Sequence, residues 1–368
     1  MKVVFPYPQP YGSFPDIYEY VENLRALGLE TRYIGWRPSG GRLQFLTQLA
    51  AKLEEANPDI VHVFHFRWAG LLPLLVRKRK AKWILDVRTI HVENKRLQPE
   101  RHVLFKTRLT WMESQLYDHI FALTPTIKKY LEPSIRPISL VPLGASASRL
   151  RKRVTPEERQ RRRNELGLSE EAKVLLYSGS LSPSRRVDLL IRAFAEVVKN
   201  GFSNTFLLIV GGVRSTDSDK EIPIITDLKN LCIELGIRDR VHFTGWLPYT
   251  QALELYHLAD VGVVFLPKGT PYELQPPTKL IEYMMAGLLA VGNDVFAISQ
   301  YIEDGNTGVL CGNSLDELAN GMARALQITE HPEWLEKIKR TAYAQVQEFD
   351  WGNIVKNYVL PTYLQVLR

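Results

Sequence analysis

The amino-acid sequence predicts an α/β protein with two domains, each built around a doubly wound parallel sheet. The chain has 368 residues, which is long for one domain and sufficient for two domains with separate hydrophobic cores. Short apolar runs alternate with amphipathic stretches of helical period along its whole length. Alternation of this kind indicates parallel sheets covered by helices on both faces. With 45% hydrophobic and 24% charged residues, the composition is that of a globular protein.

Apolar runs in both halves of the chain are predicted to be buried strands. In the first half these runs are Lys2–Phe5, Ile60–Phe64, Trp83–Val87, His119–Leu123 and Ile138–Val141. In the second half they are Val174–Tyr177, Phe206–Val210, Val241–Phe243, Val261–Phe265 and Leu289–Val291. The segments between them carry the helical pattern, so each half has the alternation of a complete domain.

The boundary between the two domains is predicted near residue 150. The run Val141–Gly144 is followed by the charge-rich stretch Arg149–Arg163. Within it, Thr155 is placed to cap a helix that begins at Pro156, with Glu158 three positions after the cap. The arginines are interpreted as a solvated linker and helix face, because no aromatic residues that would stack on bases are interleaved with them. No nucleic-acid partner is therefore predicted.

Several features of the sequence restrict the cellular setting. The N-terminus has no basic segment followed by a long apolar run, and no apolar run approaches the roughly 18 residues that would span a bilayer. Cys232 and Cys311 have neither a metal-binding spacing nor the pattern of a disulfide framework. We therefore expect a cytoplasmic protein. The net charge of +7 favours anionic partners such as nucleotides, phosphates or an acidic membrane surface.

The segment Gln275–Gly287 has the pattern of a nucleotide site. Two prolines direct the chain into a helix that Thr278 is expected to cap, which leaves free backbone N–H groups at the start of that helix. Lys279 and Glu282 are three residues apart and therefore share one helix face. An ammonium group suits a phosphate, and a carboxylate one turn deeper suits ribose hydroxyls. The alternative is an ordinary surface Lys–Glu pair.

Two further turns follow predicted strands of the second half. The first is the segment Ser178–Leu190, in which Gly179 and Ser180 form a small-residue turn and Arg185 and Arg186 supply positive charge. The second is the Gly211–Gly212 pair after the next strand. Ligands of open α/β sheets bind at the carboxyl ends of the strands, where all three motifs lie. Neither turn has a dinucleotide or Walker fingerprint, and generic strand-to-helix turns are the alternative for both.

These segments together resemble the retaining GT-B glycosyltransferases of family 4. The resemblance covers most of the second half in order, through YSGSLSPSRRVDLLIRAF, FLLIVGG, LGIRDRVHFTGWLP, ALELYHLADVGVVFLP, PPTKLIEYMMAGLLAV and IEDGNTGVL. In the first half it is thinner and consists of NPDIVHVFH, WILDVR, ALTPTIKKYL and VPLG. The resemblance implies two Rossmann-like domains that face each other across a cleft. Residues 1–150 would bind the acceptor, residues 151–345 the nucleotide sugar, and a helix within 346–368 would pack back on the first domain.

The resemblance also implies roles for individual residues. Glu282 matches the second glutamate of the family's E-x7-E motif, which binds the donor ribose. Arg185 matches the basic residue that contacts the donor diphosphate, and Gly245 matches a turn whose backbone lies near the nucleobase. Stabilisation of the leaving diphosphate would then rest on Arg185, Lys279 and helix N-termini.

The sequence departs from the family pattern at several positions. Leu274 stands eight positions before Glu282, where the family has glutamate, and Glu273 is one residue displaced. Ser180 replaces the usual arginine after the strand-turn glycine, so Arg186 is a candidate substitute. Gly12 stands alone where the family has a Gly-Gly loop.

In the first domain, Asp86, Arg88 and His91 are the predicted catalytic residues. They stand where the family often has a histidine at the end of the fourth strand, and they would approach the sugar as the cleft closes. His62 is predicted to be a core histidine, and His65, nearer the end of its strand, is the better candidate for the cleft.

Neither a metal ion nor a cofactor is predicted. Asp217-Ser218-Asp219 has the form of a metal-binding D-x-D motif, but it stands in a loop rich in Ser, Thr and Asp, where a solvated loop is the expected structure. The nucleotide-sugar donor is a co-substrate rather than a cofactor.

The predicted function is transfer of a sugar, with retention of configuration, from a UDP- or GDP-sugar to a lipid-linked or polysaccharide precursor. The segment Arg67–Trp111 motivates this acceptor and a peripheral membrane association, because it combines cations with Val103, Leu104, Leu109 and Trp111. A soluble small-molecule acceptor is the alternative.

Two other classes of protein remain as alternatives. A dinucleotide-dependent oxidoreductase would carry a glycine fingerprint, which the sequence lacks, and a two-lobed sugar-binding protein would usually be exported.

Overall fold

The computed structural model describes residues 1–35, 42–77, 80–89, 100–151, 154–212, 218–269 and 275–368. The chain forms two compact units. Unit 1 comprises Met1–Gly144 and Phe349–Arg368, and unit 2 comprises Ala145–Glu348. The chain thus passes between the units at 144/145 and 348/349, a few residues from the predicted boundaries.

Strands and helices alternate through the first part of unit 1. The elements are β1 Lys2–Tyr7, α1 Pro15–Ala26, β2 Glu30–Gly35, α2 Arg42–Ala56, β3 Ile60–Phe64, α3 Leu72–Leu75, β4 Lys82–Val87, α4 Glu100–Ser114, β5 His119–Ala122, α5 Pro125–Leu131 and β6 Ile138–Leu140. The described strands form one sheet of order β2-β1-β3-β4-β5-β6 in which all neighbours are parallel.

Unit 2 repeats the alternation. Its elements are α6 Ala147–Leu150, α7 Pro156–Glu165, β7 Lys173–Ser178, α8 Val187–Lys199, β8 Thr205–Val210, α9 Ser218–Glu234, β9 Val241–Phe243, α10 Tyr249–Glu254, β10 Val261–Val264, α11 Thr278–Ala286, β11 Leu289–Asn293, α12 Phe296–Ser299, β12 Val309–Cys311, α13 Leu315–Ile328 and α14 Pro332–Val346. The described strands form a parallel sheet of order β12-β11-β10-β7-β8-β9. Thr155 caps α7 as predicted, since its hydroxyl accepts the Glu158 N–H at 3.2 Å.

The strand order of unit 2 positions its ligand site. From β7 the chain builds the sheet in one direction through β8 and β9, then returns to place β10, β11 and β12 on the other side of β7. The loops after β7 and β10 therefore diverge, which opens a crevice at the carboxyl ends of these two strands. This is the topological switch point of a doubly wound sheet.

The C-terminal segment contributes to the core of unit 1. It consists of α15 Trp351–Ile354, a π-helical stretch Val355–Val359 and α16 Leu360–Leu367. Trp351 and Tyr363 are buried in the same apolar cluster as residues of β1, α1 and β3. A Cβ on Gly144 would lie 2.4 Å from the Trp351 ring, so only glycine allows the indole to approach the backbone this closely.

Two strands were not predicted from the sequence. β2 and β12 are the outer strands of their sheets. In β2 only Thr31 and Ile34 are buried, and β12 has three residues, of which only Val309 is fully buried. β2 therefore lacks the continuous apolar run that marks the central strands.

Candidate functional site

A cavity of about 270 Å³ lies at the switch point of unit 2. Three segments line it: the end of β7 with the turn that follows, the end of β10, and the start of α11. The lining residues are Tyr177, Ser178, Gly179, Ser180, Arg185, Val263, Val264, Phe265, Leu266, Gln275, Pro276, Pro277, Thr278 and Lys279. The predicted site residues Gly179, Ser180, Arg185, Thr278 and Lys279 are therefore brought together by the fold.

The turn after β7 is fixed by hydrogen bonds on both sides. The Ser178 N–H donates to the phenol oxygen of Tyr283 at 2.7 Å, and the Gly179 N–H donates to the carbonyl of Val210 at 2.9 Å. The phenol of Tyr177 donates to the carbonyl of Ser180 at 3.0 Å. The wall of the cavity is thus preorganised.

Gly211 and Gly245 support this turn from behind. Gly211 has a φ of +143°, and a Cβ placed on it would lie 1.9 Å from the carbonyl oxygen of Gly179. Gly211 also pairs with Gly245 in an isolated antiparallel bridge, and Gly245 has a φ of +69°. Neither glycine is among the described lining residues, and both allow close backbone packing behind the cavity wall.

Positive charge faces the cavity from two directions. Arg185 ends the 3₁₀ turn Pro183–Arg185, and Lys279 stands in the first turn of α11. The N-cap of α11 is Pro277 rather than Thr278, which corrects the prediction, because Thr278 is already the first residue of the helix. The first N–H groups of a helix have no intrahelical acceptor and favour an anion. Cations and helix N-terminus together suit a phosphate group.

Arg186 does not join Arg185 at the cavity. It adopts a left-handed backbone with φ +50°, and its Nε lies 3.0 Å from Oδ1 of Asp188. The guanidinium is engaged in this partly exposed ion pair, and Arg186 is not among the described lining residues, so the structure does not support Arg186 as a substitute for the missing family arginine.

Glu282 lies directly behind Lys279 and is fully buried. Its Oε2 accepts hydrogen bonds from Lys279 Nζ and from the phenol of Tyr256, both at 2.7 Å. Within the described part of the chain, Oε1 has no hydrogen-bond partner. A buried carboxylate oxygen without a partner costs free energy, as is common where a ligand completes the bonding. Glu282 is not among the described lining residues, so contact with a ligand requires local rearrangement.

Sequence reasoning missed three side chains that fix this site. Tyr283 holds the Ser178 amide, and Tyr256 holds Glu282. Asn293 bonds both the N–H and the carbonyl of Leu266, each at 2.8 Å, and so fixes the loop after β10. Tyr256 and Asn293 stand outside the three segments that the sequence analysis assigns to the site, and no local spacing marks them. For Tyr283, the position next to Glu282 in the sequence was a signal that could have indicated a role in the site.

Two of the predicted catalytic residues, Asp86 and Arg88, lie in the interior of unit 1. Asp86 is fully buried in unit 1 and Arg88 is 7% exposed. Arg88 Nε lies 2.8 Å from Asp86 Oδ1, and Arg88 Nη2 donates to Asp86 Oδ2 at 2.9 Å and to the phenol of Tyr20. The two charges satisfy each other in the interior, so neither is presented to a substrate in this structure. His91 lies outside the described residues.

The electrostatics of this buried pair follow from its surroundings. Burial alone would raise the pKa of Asp86, but Arg88 and His62 outweigh it and hold that pKa below its usual value. Burial lowers the pKa of His62 although Asp86 opposes the shift, so the imidazole is neutral near pH 7. His62 Nδ1 lies 2.5 Å from the phenol oxygen of Tyr363, and His62 is fully buried. The prediction that His62 is a core histidine is confirmed.

His65 is partly exposed, and its Nε2 lies 2.9 Å from Oε2 of Glu113. Asp217 of the D-x-D motif lies outside the described residues, as do the side chains of Ser218 and Asp219. Among the residues that the structure does describe, no three His, Cys, Asp or Glu side chains are grouped as metal ligands. Cys232 and Cys311 are both free thiols. In the described ranges, no helix has the length and apolar character needed to cross a bilayer.

Two family profiles match the chain. The profile described as "Glycosyl transferases group 1" matches residues 158–343, and the profile "Glycosyl transferase 4-like domain" matches residues 3–142. The first profile contains the whole cavity, and the second contains Asp86 and Arg88.

Relatives of known activity are similar over part of the chain. The lipopolysaccharide 1,2-N-acetylglucosaminetransferase of Salmonella typhimurium is 27% identical over 225 residues, which are 60% of this chain and 55% of that protein. The D-inositol 3-phosphate glycosyltransferase of Nocardia farcinica is 28% identical over 218 residues, which are 59% of this chain and 45% of that protein. This chain thus spans about half the length of the curated relatives that it matches.

Solved structures of other proteins have a similar fold over nearly the full length of this chain. A glycosyltransferase from Rickettsia africae has a TM-score of 0.76 at 16% identity and covers 100% of this chain and 99% of its own. An Anabaena protein in complex with UDP and glucose has a TM-score of 0.74 at 17% identity and covers 99% of this chain and 100% of its own. These similarities and the two parallel sheets identify the fold as GT-B. Because the group 1 profile covers residues 158–343 of 368, which is half of the chain, the protein belongs to the group 1 glycosyl transferases.

Proposed function

We propose that this protein transfers a sugar from a nucleoside diphosphate sugar, bound in the cavity of unit 2, to an acceptor with retention of anomeric configuration. The observation that carries the proposal is the convergence of Arg185, Lys279 and the N-terminus of α11 on one cavity at the switch point of a doubly wound sheet. Family membership supports the same reaction class.

The diphosphate is the part of the donor that these groups suit best. Two cations and the positive end of a nine-residue helix face a cavity with a preorganised wall. When the bond to the sugar breaks, negative charge develops on the departing diphosphate, and fixed positive groups stabilise that charge more than they stabilise the intact donor. The protein then needs neither a metal ion nor a cofactor for this step.

The ribose is proposed to donate a hydroxyl hydrogen to Oε1 of Glu282. This oxygen is buried and lacks a partner among the described residues, while Oε2 is occupied by Lys279 and Tyr256. A charge-assisted bond at Oε1 would complete the bonding of the carboxylate. Because Glu282 is fully buried, the bond forms only after a local shift of its surroundings.

For the nucleobase, we propose uracil ahead of guanine. The Anabaena protein of similar fold was solved with UDP and with UDP-glucose, whereas a fungal relative from Neurospora crassa is named for GDP-Man.

The experiment that tests the proposed transfer incubates the purified protein with a panel of UDP- and GDP-sugars and a mixture of acceptors. Mass spectrometry should detect one hexose-type addition that depends on a single donor, and a protein that transfers no sugar from any donor would overturn the proposal.

A lipid-linked or polysaccharide precursor is proposed as the acceptor. The Salmonella relative is named for lipopolysaccharide. On unit 1, Leu74, Met112 and Ile135 are 62%, 55% and 80% exposed on α3, α4 and the loop after α5. Lys128 and Lys129 stand on α5, and α4 contacts both α5 and the 3₁₀ turn before α3. Apolar side chains flanked by cations favour an anionic membrane surface.

The predicted membrane strip on α4 is only partly described. The side chains of Val103 and Leu104 lie outside the described residues, and the indole N–H of Trp111 donates to the carbonyl of Pro133 at 2.8 Å. Flotation with anionic vesicles at low salt tests the association. Retention of the protein in the vesicle-free fraction would favour the second candidate, a soluble acceptor, which the D-inositol 3-phosphate glycosyltransferase relatives suggest.

A further inference from the structure

The position of Lys279 depends on residues behind the cavity wall. Its Nζ lies 2.7 Å from Oε2 of Glu282, and the side chain is 29% exposed whereas Glu282 is fully buried. The ammonium group also lies 5.9 Å from the ring centroid of Tyr249 and 6.0 Å from that of Tyr256. An ammonium has three N–H donors, so one bond to Glu282 leaves donor capacity for an anion in the cavity.

Glu282 is itself held by a second donor. The phenol of Tyr256 donates to the same Oε2 at 2.7 Å, while Oε1 has no partner in the described ranges. A buried carboxylate must be compensated by charge and hydrogen bonds, and here two donors meet on one oxygen. Without the phenol, Lys279 would be the one hydrogen-bond partner left to the carboxylate among the residues that the structure describes.

Tyr256 has little freedom to move. It lies in the 3₁₀ turn Leu255–Leu258, is fully buried, and packs edge-to-face on Tyr283 with ring centroids 5.2 Å apart. Burial and the nearby Glu282 raise the pKa of Tyr256 well above its ordinary value, so the phenol keeps its proton and remains a donor. A rigid donor of this kind fixes the orientation of the carboxylate.

We infer that Tyr256 is a positioning residue for the diphosphate of the donor, and that it acts through Glu282 on Lys279. The hydroxyl shares the negative charge of Glu282 with the ammonium. When the hydroxyl is removed, the carboxylate draws Lys279 more strongly towards the interior and away from the cavity. The inference rests on the proposed function, since it takes the cavity to bind a nucleoside diphosphate.

The test compares UDP with UMP, which share base and ribose and differ by the second phosphate. Calorimetric titration of wild type and Tyr256→Phe should show UDP affinity reduced about tenfold, the usual effect of losing one bond to a charged group, with UMP affinity reduced much less. Tyr343→Phe, which removes the phenol of a half-buried tyrosine of the same unit outside the cavity lining, should leave both affinities at the wild-type value.

Combining Tyr256→Phe with Lys279→Gln shows whether Tyr256 acts through Lys279 or supports the site in some other way. If Tyr256 acts through Lys279, Tyr256→Phe should weaken UDP binding no further once Lys279 is replaced, so the double variant should match Lys279→Gln alone. Additive losses, an equal loss of UMP binding, or undiminished UDP binding by Tyr256→Phe would each overturn the inference.

Two controls keep these results interpretable. Should Tyr256→Phe fail to fold, Lys279→Arg serves in its place, because a planar guanidinium cannot reproduce the ammonium between Glu282 and the cavity. If that variant loses the preference for UDP over UMP, the result supports a fixed position of the Lys279 ammonium. An unchanged preference contradicts it. A wild-type protein that binds no nucleotide would instead contradict the proposed function itself.

Discussion

The carbonyl oxygen of Gly179 occupies the space that a side chain on Gly211 would need, because a Cβ on Gly211 would lie only 1.9 Å from that oxygen. The contact joins the turn after β7 to the turn after β8 and holds the wall of the cavity in unit 2. Gly211 also has a φ of +143°, which other residues rarely adopt.

Gly211→Ala should therefore destabilise unit 2 by at least about 3 kcal/mol, through backbone strain together with overpacking. The free energy of unfolding is measured by urea denaturation. Gly236→Ala is the matched control, since Gly236 has a φ of +68° but open space around its Cα, and it should cost only about 1–2 kcal/mol. Equal costs for the two variants would show that the contact with Gly179 is unimportant.

Glu282→Gln should weaken nucleotide binding by about 1–3 kcal/mol, because a charge-assisted bond to the ribose is lost. The melting temperature should change little, since Lys279 is 29% exposed to water and the amide oxygen of glutamine can still accept the hydrogen bond of Tyr256. Affinity for UDP and UMP is measured by calorimetry, with the exposed Glu234→Gln as control. A variant that melts at a much lower temperature yet binds both nucleotides normally would make Glu282 purely structural.

The stability of unit 1 should decrease as the pH falls below about 6.5, the ordinary pKa of histidine. Burial lowers the pKa of His62, and it lowers the pKa of His119 to about 4. Below about pH 6.5 the unfolded chain therefore binds more protons than the folded one, so acid favours unfolding. Asp86, whose pKa is also lowered, loses its contribution only at still lower pH.

Hydrogen exchange of peptides from β1, β3 and β4, followed in urea at about pH 7.5 and about pH 5.5, measures this effect. His62→Gln should reduce the difference between the two pH values, and the exposed His331→Gln should not. Identical protection of the wild type at both pH values would contradict the account of His62 and His119.

Transferase activity should survive chelation of divalent metal ions. Arg185, Lys279 and the α11 N-terminus supply the positive charge that the leaving diphosphate needs. The activity is assayed with the preferred donor before and after addition of EDTA. Complete loss in EDTA, restored by Mn²⁺ or Mg²⁺, would falsify the metal-independent mechanism and return attention to Asp217 and Asp219.

The sequence predicted the central strands and the cavity lining because both are encoded locally. Buried parallel strands are continuous apolar runs, and Gly179, Arg185 and Lys279 stand in turns directly after strands or at a helix start. What could not be predicted depends on contacts between distant positions. Tyr283 reaches the amide of Ser178, which is 105 residues away in sequence.

The burial of Asp86 and Arg88 could not be predicted for a related reason. Asp86 and Arg88 stand at the end of a strand, where ligand-binding residues are common, and the sequence alone does not show whether such charges face a ligand or each other. In the structure they pair in the interior, with Tyr20 and His62 around them. The outer strand β2 was missed because it lacks a continuous apolar run, whereas the outer strands β6 and β9 were predicted.

The most direct test of the central claim is calorimetric titration of the protein with UDP and UMP, in wild type and in the variant carrying both Arg185→Gln and Lys279→Gln. If these cations bind the diphosphate in the cavity of unit 2, wild type should prefer UDP by at least about tenfold, and the double variant should lose most of that preference while keeping its affinity for UMP. Lys199→Gln, at a lysine whose side chain is 75% exposed, should behave as wild type. A double variant that still prefers UDP as strongly as wild type would contradict the assignment of this cavity as the donor site.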